Sequence, residues 1–334
     1  HESESMAQSA WSALAGIKLA HVWSSDMGAV HSLPYLQHFA GLDVRQYVIV
    51  PDGPRVGRIR AIGVPVLPLS LTRRLLDLRG DIRACRELVS YFLQERFDII
   101  HTHNTIGGLV GRFAAGLLRA PAVVHTVHGV PFGLETPQPK RVLHASFERL
   151  ASYGCHRVLV QSREDEQAFI LAKAAPREKV VRIGNGIPLE RFDADCWLPH
   201  RDRIRASLGI GPSDVVFLSA GRLVREKGFM DLARATAIAR RSADYIKVAI
   251  AGPADEQKAD SLSASDIESA RRDGVMFLGE REDMAALYAA SDVVVLASWR
   301  EGLPRVLVEG AAMGKPLLAT DVRGNCEVVR VPSG

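Results

Sequence analysis

Glu301-Gly302-Leu303-Pro304-Arg305-Val306-Leu307-Val308-Glu309 follows the apolar run Asp292-Val293-Val294-Val295-Leu296-Ala297-Ser298. A short continuous apolar run of this kind is expected of a parallel strand buried on both faces. From Val306 to Met313 the spacing is helical, and Pro304 suits the first helical position, where its missing N–H costs nothing. Glu301 is then in a strand-to-helix loop at the carboxyl end of a strand, where open α/β sheets bind ligands. Glu309 falls in the second helical turn, with its side chain leaning back toward the N-terminus. The amides of Gly302, Leu303, Arg305 and Val306 are placed to meet an anion, which the helix dipole favours. Carboxylates repel phosphate, so this pairing makes sense if the carboxylates hold hydroxyls while the amides hold phosphates of the same ligand. A nucleotide sugar carries both kinds of group. The plainer alternative is a solvated loop residue and a charge on an exposed helix face.

Outward from this stretch the chain alternates strand and helix signals. In the first half, strands are expected at Ile17 to Trp23, Val44 to Val50, Val64 to Leu67, Phe97 to His101, Ala122 to His125, Arg157 to Gln161 and Val180 to Ile183. In the second half they are expected at Val215 to Ala220, Lys247 to Ala251, Val275 to Leu278, Asp292 to Leu296 and Pro316 to Ala319. Strands separated by helical stretches imply parallel sheets with helices on both faces. At 334 residues, two domains are expected rather than one core. The weakly patterned stretch from Asn185-Gly186-Ile187-Pro188 to Gly211-Pro212-Ser213 marks the boundary. That gives a first α/β domain over 17–184, a linker over 185–213 and a second α/β domain over 214–334.

Hydrophobic residues make up 47% of the chain and charged residues 24%, which fits a globular protein rather than a disordered or fibrous one. A formal net charge of +4 suits anionic ligands or an anionic membrane surface but is too weak to argue for nucleic acid. Cys85, Cys155, Cys196 and Cys326 are scattered, so a reduced, cytoplasmic setting is expected. The acidic start His1-Glu2-Ser3-Glu4-Ser5-Met6 lacks a signal peptide's apolar core and reads as an appended segment before a native Met6. Ser70-Leu71-Thr72-Arg73-Arg74-Leu75-Leu76 mixes leucine with arginine, as membrane-surface segments do, although a solvated face has the same composition. His101, His103, His125 and His128 crowd the strand ends. They read as satisfied polar residues at the top of a sheet, as ligand contacts in a cleft or, less readily, as metal ligands; no metal is expected.

The second half opens with Gly221-Arg222-Leu223-Val224-Arg225-Glu226-Lys227-Gly228, which sets two cations at the end of that half's first strand. It is neither a Walker loop nor G-x-G-x-x-G, so it gives little reason to expect ATP or NAD. Arginine and lysine there suit a diphosphate. Together with Glu301 to Glu309, Ala311-Ala312-Met313-Gly314-Lys315-Pro316 and Ala319-Thr320-Asp321, this loop resembles family-four retaining glycosyltransferases. The resemblance runs from about Ile17 to the end and is strongest in the second half. Arg300 to Arg305 is most similar to bacterial enzymes acting on lipid-linked or cell-surface glycans.

The resemblance implies a GT-B architecture, two Rossmann-like domains facing across a cleft, with the acceptor on the first domain and the nucleotide-sugar donor on the second. It implies that Glu309 holds the ribose hydroxyls, Glu301 the transferred sugar, and Arg222 and Lys227 the diphosphate. His128 would contact the sugar, and Gly28 would lie in a loop closing over the phosphates. A uridine-linked donor, a glycan or lipid-linked acceptor, retention and independence of metal follow from the same resemblance. Two departures stand out. Ser25-Asp26-Met27-Gly28 replaces the usual paired glycines, and the sequence stops at Gly334, short of the family's closing helix, so an incomplete C-terminal end is expected. The rival readings are a nucleotide-sugar epimerase of the same architecture and a catalytically silent nucleotide-binding module.

Overall fold

The computed structural model describes residues 14–72, 77–130, 132, 136–255 and 258–329. Arg73 and Arg74 of the leucine-arginine segment, residues 1–13 and Val331 to Gly334 lie outside the described residues. The chain divides into two compact units, His1–Gly184 and Asn185–Gly334.

The first unit runs β1 (Lys18–Val22), α1 (Asp26–Val30), α2 (Leu33–Ala40), β2 (Arg45–Val50), α3 (Val56–Arg60), β3 (Val66–Pro68), α4 (Leu78–Glu95), β4 (Ile99–His103), α5 (Thr105–Leu117), β5 (Ala122–Val127), α6 (Gln138–Ser152), β6 (Arg157–Val160), α7 (Arg163–Leu171) and β7 (Val180–Arg182). Its seven strands are parallel, in the order β3-β2-β1-β4-β5-β6-β7. Alternate residues of one strand go to different cores. Ile49 joins the cluster of Ala20, Val22, Leu88 and Ile100, while Val48 and Val50 join Trp23, Ala29, Leu36 and Ile59. A sheet covered on both faces produces this split, and each fully buried Val, Leu or Ile contributes roughly 1.5–3 kcal/mol.

The second unit runs α8 (Ala194–Trp197), α9 (Arg201–Ser207), β8 (Val215–Ala220), α10 (Phe229–Ala239), β9 (Ile246–Ala251), α11 (Ala264–Arg272), β10 (Val275–Gly279), α12 (Met284–Ala290), β11 (Val293–Leu296), α13 (Arg305–Ala312), β12 (Leu317–Ala319) and α14 (Asn325–Val328). The five parallel strands are ordered β10-β9-β8-β11-β12. Leu218, Ala249 and Leu296 pack on one side, and Val248, Ile250 and Val295 on the other. The same two-sided burial recurs.

The stretch 185–213, expected as a linker, groups with the second unit. Phe192 is buried in that unit's core, with Ile187, Trp197, Ile204 and Leu208 packed against it. Arg201 and Arg205 both pair with Asp292, at 2.6 and 3.3 Å, which ties α9 to the start of β11. Weak periodicity hid these contacts, because short helices anchored by a few large side chains give no sustained apolar stripe.

Candidate active site

In the second unit the strand order reverses beside β8: the chain steps from β8 outward to β9 and β10, then returns to place β11 on the other side. Val293 and Val294 of β11 lie opposite Phe217 and Leu218 of β8. The loops leaving these two strands therefore meet, at the position where open α/β sheets bind ligands. Gly228 makes the approach close. Its φ is 67°, and a Cβ there would stand 1.9 Å from the Ala297 carbonyl oxygen, so only glycine lets the Arg222–Lys227 loop lie against the end of β11.

The sequence placed Lys227 and Glu301 on one ligand, and the structure brings them into direct contact. Lys227 Nζ is 2.6 Å from Glu301 Oε1, with side-chain exposures of only 17% and 10%. Ser298 Oγ donates to the same oxygen at 2.6 Å. Glu301 Oε2 has no partner among the described residues, so it stays open to a ligand hydroxyl. Arg222 Nη1 donates to the buried Asp255 at 2.7 Å, and its other terminal nitrogen is 3.8 Å from Glu226 Oε1. Glu226 is buried enough to favour its neutral form, yet Lys258, Arg300 and Arg222 together hold its pKa below the usual value. The loop is thus a charge network with fixed donors rather than a set of loose surface cations.

Pro304 caps α13 from outside, so Arg305 is the first helical residue, one later than expected. With φ –74° and ψ 110°, Pro304 is extended rather than helical, and its carbonyl accepts from Leu307 and Val308. Among the described residues the amides of Gly302, Leu303 and Val306 have no hydrogen-bond partner, which suits an anion at this helix start. Asn185 Nδ2 donates to the Leu303 carbonyl at 3.1 Å and steadies the loop.

Glu309 is buried, and its carboxylate accepts from Tyr288 Oη at 2.9 Å, with Arg305 at 3.6 Å from the other oxygen. Burial raises the Glu309 pKa, against the opposing pull of Arg305 and the Tyr288 hydrogen bond. Burial and the neighbouring carboxylate push the Tyr288 hydroxyl well above its ordinary pKa, so it stays a donor. Sequence reasoning missed Asp255, Tyr288, Ser298 and Asn185. Ser298 directly follows an apolar strand run and was the one readable signal; the others come from distant segments.

In the first unit, Gly28 is not in an open loop. It lies in α1, and its amide is taken by the N-cap Ser25 Oγ at 3.2 Å, because Ser25-Asp26 starts a helix where paired glycines would leave the backbone free. Asp26 closes the turn further by accepting from the amides of Met27 and Arg55. Gly28 instead allows close packing, since a Cβ would lie 3.1 Å from Asn104 Nδ2 and from the Trp23 ring. Asn104 follows β4 with φ 60° and ψ 166°, a backbone conformation held only where the surroundings enforce it.

His128 is exposed just past β5, beside Asn104, Thr105 and Glu148 in a small cavity of about 80 Å³. Behind it His21, His101 and His103 share one sheet face, with candidate ligand nitrogens all within 4.8 Å of one another. Burial lowers the His21 pKa to about 4, partly offset by Gln46, and drives His101 and His103 well below the ordinary value. The lowered pKa values favour the neutral form of all three rings. Among the described residues no helix is long and apolar enough to cross a membrane.

Two family descriptions match the chain: glycosyl transferases group 1 over residues 200–331 and the glycosyl transferase 4-like domain over residues 29–186. Among relatives, an Escherichia coli UDP-Gal:alpha-D-GlcNAc-diphosphoundecaprenol alpha-1,3-galactosyltransferase is 28% identical over 323 residues, covering 92% of this chain and 80% of that protein. A D-inositol 3-phosphate glycosyltransferase of Nocardia farcinica is 27% identical over 257 residues, covering 73% of this chain and 55% of that protein. Among solved structures, Anabaena HepE in complex with UDP and glucose superposes with a TM-score of 0.75 at 21% identity, over 94% of this chain and 83% of that one. WaaG, a glycosyltransferase involved in lipopolysaccharide biosynthesis, does so with a TM-score of 0.67 at 16% identity, over 92% and 82%. At these identities the solved structures speak for the fold.

Proposed function

This chain belongs to the family-four glycosyltransferases of GT-B architecture, and we propose that it moves a sugar from a nucleotide-diphosphate sugar, uridine-linked, to a lipid-linked or other glycan acceptor with retention at the anomeric carbon. One observation supports this reading above the others: the Lys227–Glu301 pair at the switch point of the second sheet. A carboxylate for sugar hydroxyls and an ammonium for phosphate stand side by side, as the two sides of a sugar–phosphate bond require. One Lys227 N–H goes to Glu301, which leaves two for the diphosphate. Arg222, held by Asp255, meets the same phosphates, and the amides of Gly302, Leu303 and Val306 face them from the helix start. Glu309, oriented by Tyr288, takes the ribose hydroxyls. His128 is assigned a sugar hydroxyl, a role carried over from the family resemblance. The lipid-linked acceptor is taken from the galactosyltransferase relative, whose name specifies a diphosphoundecaprenol acceptor.

In this reaction the acceptor hydroxyl bonds to the anomeric carbon as the carbon–oxygen bond to phosphate breaks. The leaving phosphate oxygen accepts the hydroxyl proton. Negative charge grows on the diphosphate, so fixed cations beside it stabilise the transition state more than the ground state. Arg222 and Lys227 supply that stabilisation without a metal ion, so a chelator is expected to leave turnover unchanged.

The test is a panel of nucleotide sugars, read by melting shift and by nucleotide released with and without a polyprenyl-diphosphate-linked glycan. Acceptor-dependent release supports transfer. Conversion of the donor alone indicates an epimerase, and a melting shift with no turnover under any condition indicates a silent binding module.

A further inference from the structure

Behind His128 the polar atoms of five side chains follow one another in series. Gln161 Nε2 is 3.4 Å from His128 Nδ1, His128 Nε2 is 3.2 Å from His103 Nδ1, and His103 Nε2 is 3.3 Å from His21 Nδ1. Beyond His21, its Nε2 and the Gln46 side-chain oxygen are both buried, and neither has a hydrogen-bond partner among the described residues; Gln46 is near enough to pull the His21 pKa up. Gln46 Nε2 donates to the Leu36 carbonyl at 2.7 Å, so the amide cannot turn, and its oxygen is the end left toward His21. Ring placement agrees with in-line contacts: His21 and His103 centroids are 5.6 Å apart, and those of His103 and His128 are 5.5 Å apart. His103 is fixed further by stacking on Trp23, with centroids 3.9 Å apart and ring planes within 4°.

A neutral imidazole has one donor and one acceptor nitrogen, so the two ends of this series set its direction. From one end, the Gln161 amide donates, so His128 Nδ1 must accept and Nε2 must carry the proton. Then His103 Nδ1 accepts and its Nε2 donates to His21 Nδ1, which leaves His21 Nε2–H to meet Gln46. From the other end, the Gln46 oxygen can only accept, so an N–H on His21 Nε2 is the arrangement that suits both of these unpartnered atoms. We propose that Gln161, His128, His103 and His21 form one directional hydrogen-bond chain, aimed at the Gln46 oxygen, that holds His128 as the Nε2–H tautomer and leaves Nδ1 as the acceptor offered to a ligand. The Gln161 contact is the longest in the chain and the nearest to solvent, so a ligand hydroxyl replaces that amide at Nδ1 without disturbing the rest. His21 and His103 are positioning residues. That the hydroxyl belongs to a sugar rests on the proposed function; the tautomer does not.

The same geometry answers the metal question. His21, His101 and His103 bring candidate ligand nitrogens within 4.8 Å of one another, as a three-histidine site needs. A metal on His103 Nε2 would move the His103 proton to Nδ1, which would donate to His128. His128 would then carry its proton on Nδ1, facing the Gln161 amide donor. The chain as built disfavours metal binding by setting two donors against each other.

The experiment is ¹⁵N-histidine tautomer spectroscopy on the ligand-free protein at pH 7, before and after one equivalent of zinc. Expected are Nε2–H signatures for His21, His103 and His128, unchanged by zinc. An Nδ1–H signature on any of the three, or stoichiometric zinc binding that shifts His21 and His103, overturns the chain. Gln161→Glu adds a second arm by replacing the end donor with an acceptor. His128 should then gain a second proton, because Nδ1 must donate to the carboxylate while Nε2 still donates to His103. A neutral His128 that switches to Nδ1–H in this variant shows that Gln46 does not fix the far end, and overturns the proposal. If the tautomers are as described but no nucleotide sugar binds, the functional reading fails and the chain stands.

Discussion

Removing the Lys227 ammonium is the sharpest perturbation the site offers. At 2.6 Å from Glu301, the pair attracts by about 6 kcal/mol at an effective dielectric constant of 20. Desolvation offsets most of that, since both side chains are largely out of water. What remains is a coupling of about 0.5–3 kcal/mol between the two residues. The catalytic loss is separate: taking away one preorganised donor at a centre of growing charge costs about 10²–10³ in kcat, or roughly 2.7–4 kcal/mol. Lys227→Ala should therefore lower kcat by that factor at saturating donor. Lys227→Arg should rescue it only in part, because a planar fork does not replace a point charge in a tight loop. The assay is steady-state nucleotide release for the parent, Lys227→Ala, Glu301→Ala and the double variant. If the pair acts as a unit, the double variant loses less than the two single losses combined, by the coupling above. A kcat unchanged with only KM raised would mean uniform binding, and the transition-state role of Lys227 would have to be given up. Strictly additive losses would refute the coupling.

Glu309→Ala should weaken binding of the free nucleotide by roughly 1.5–3 kcal/mol, whereas Glu301→Ala should spare it and weaken only the sugar-bearing donor; calorimetric titration with both ligands separates them. Burial raises the Glu309 pKa, so the ionised form that binds hydroxyls is lost as pH falls through that raised value, earlier than for an ordinary glutamate. Tyr288→Phe removes a hydrogen bond that lowers this pKa, so its loss of nucleotide affinity should begin at still higher pH; coincident Kd profiles for parent and variant would contradict this. The buried Arg112–Glu148 pair, 2.7 Å apart between α5 and α6, should cost about 3–5 kcal/mol when Glu148→Ala strands the arginine, measured by urea unfolding; a loss under 1 kcal/mol would mean the guanidinium finds water. His21 has a folded pKa of about 4 against 6.5 unfolded, so protons bind the unfolded chain first and stability falls as pH drops from 6.5 to 4, with His21 contributing about 3 kcal/mol of the fall beside the other buried histidines. His21→Phe should make that fall shallower by the His21 share, and a parent whose stability is level across the range would count against buried neutral rings.

Most strands and the fold class were readable in the sequence because buried parallel strands leave continuous apolar runs, and Val293 to Leu296 is the plainest of them. Helix ends were less readable. α4 begins at Leu78, where the Asp77 carboxylate caps it, and α6 begins at Gln138, directly after Pro137. Between Asp26 and Ala40 the chain forms two helices, α1 and α2, separated by a turn at His31 and Ser32. Gly28 misled because a small-residue turn after a strand has the same composition whether it stays open or, as here, is captured by a serine cap.

The sequence alone determined the local pieces of the site. Glu301 at a strand end, Glu309 one turn into a helix, and cations after the first strand of the second unit all follow from periods and turn chemistry within about ten residues of each. Tertiary structure decided which pieces share a ligand. Arg222 to Lys227 reaches Glu301 only because β8 and β11 are neighbours across a reversal of strand order, and alternation of strands and helices does not encode that order. The partners that orient the charges, Asp255 for Arg222 and Tyr288 for Glu309, lie 33 and 21 residues away along the chain. The histidine series likewise joins β1, β4 and the end of β5 on one sheet face. A hydrogen bond depends on the last few tenths of an ångström between two atoms, and that distance is set by how sheets and helices pack, not by the spacing of letters along the chain.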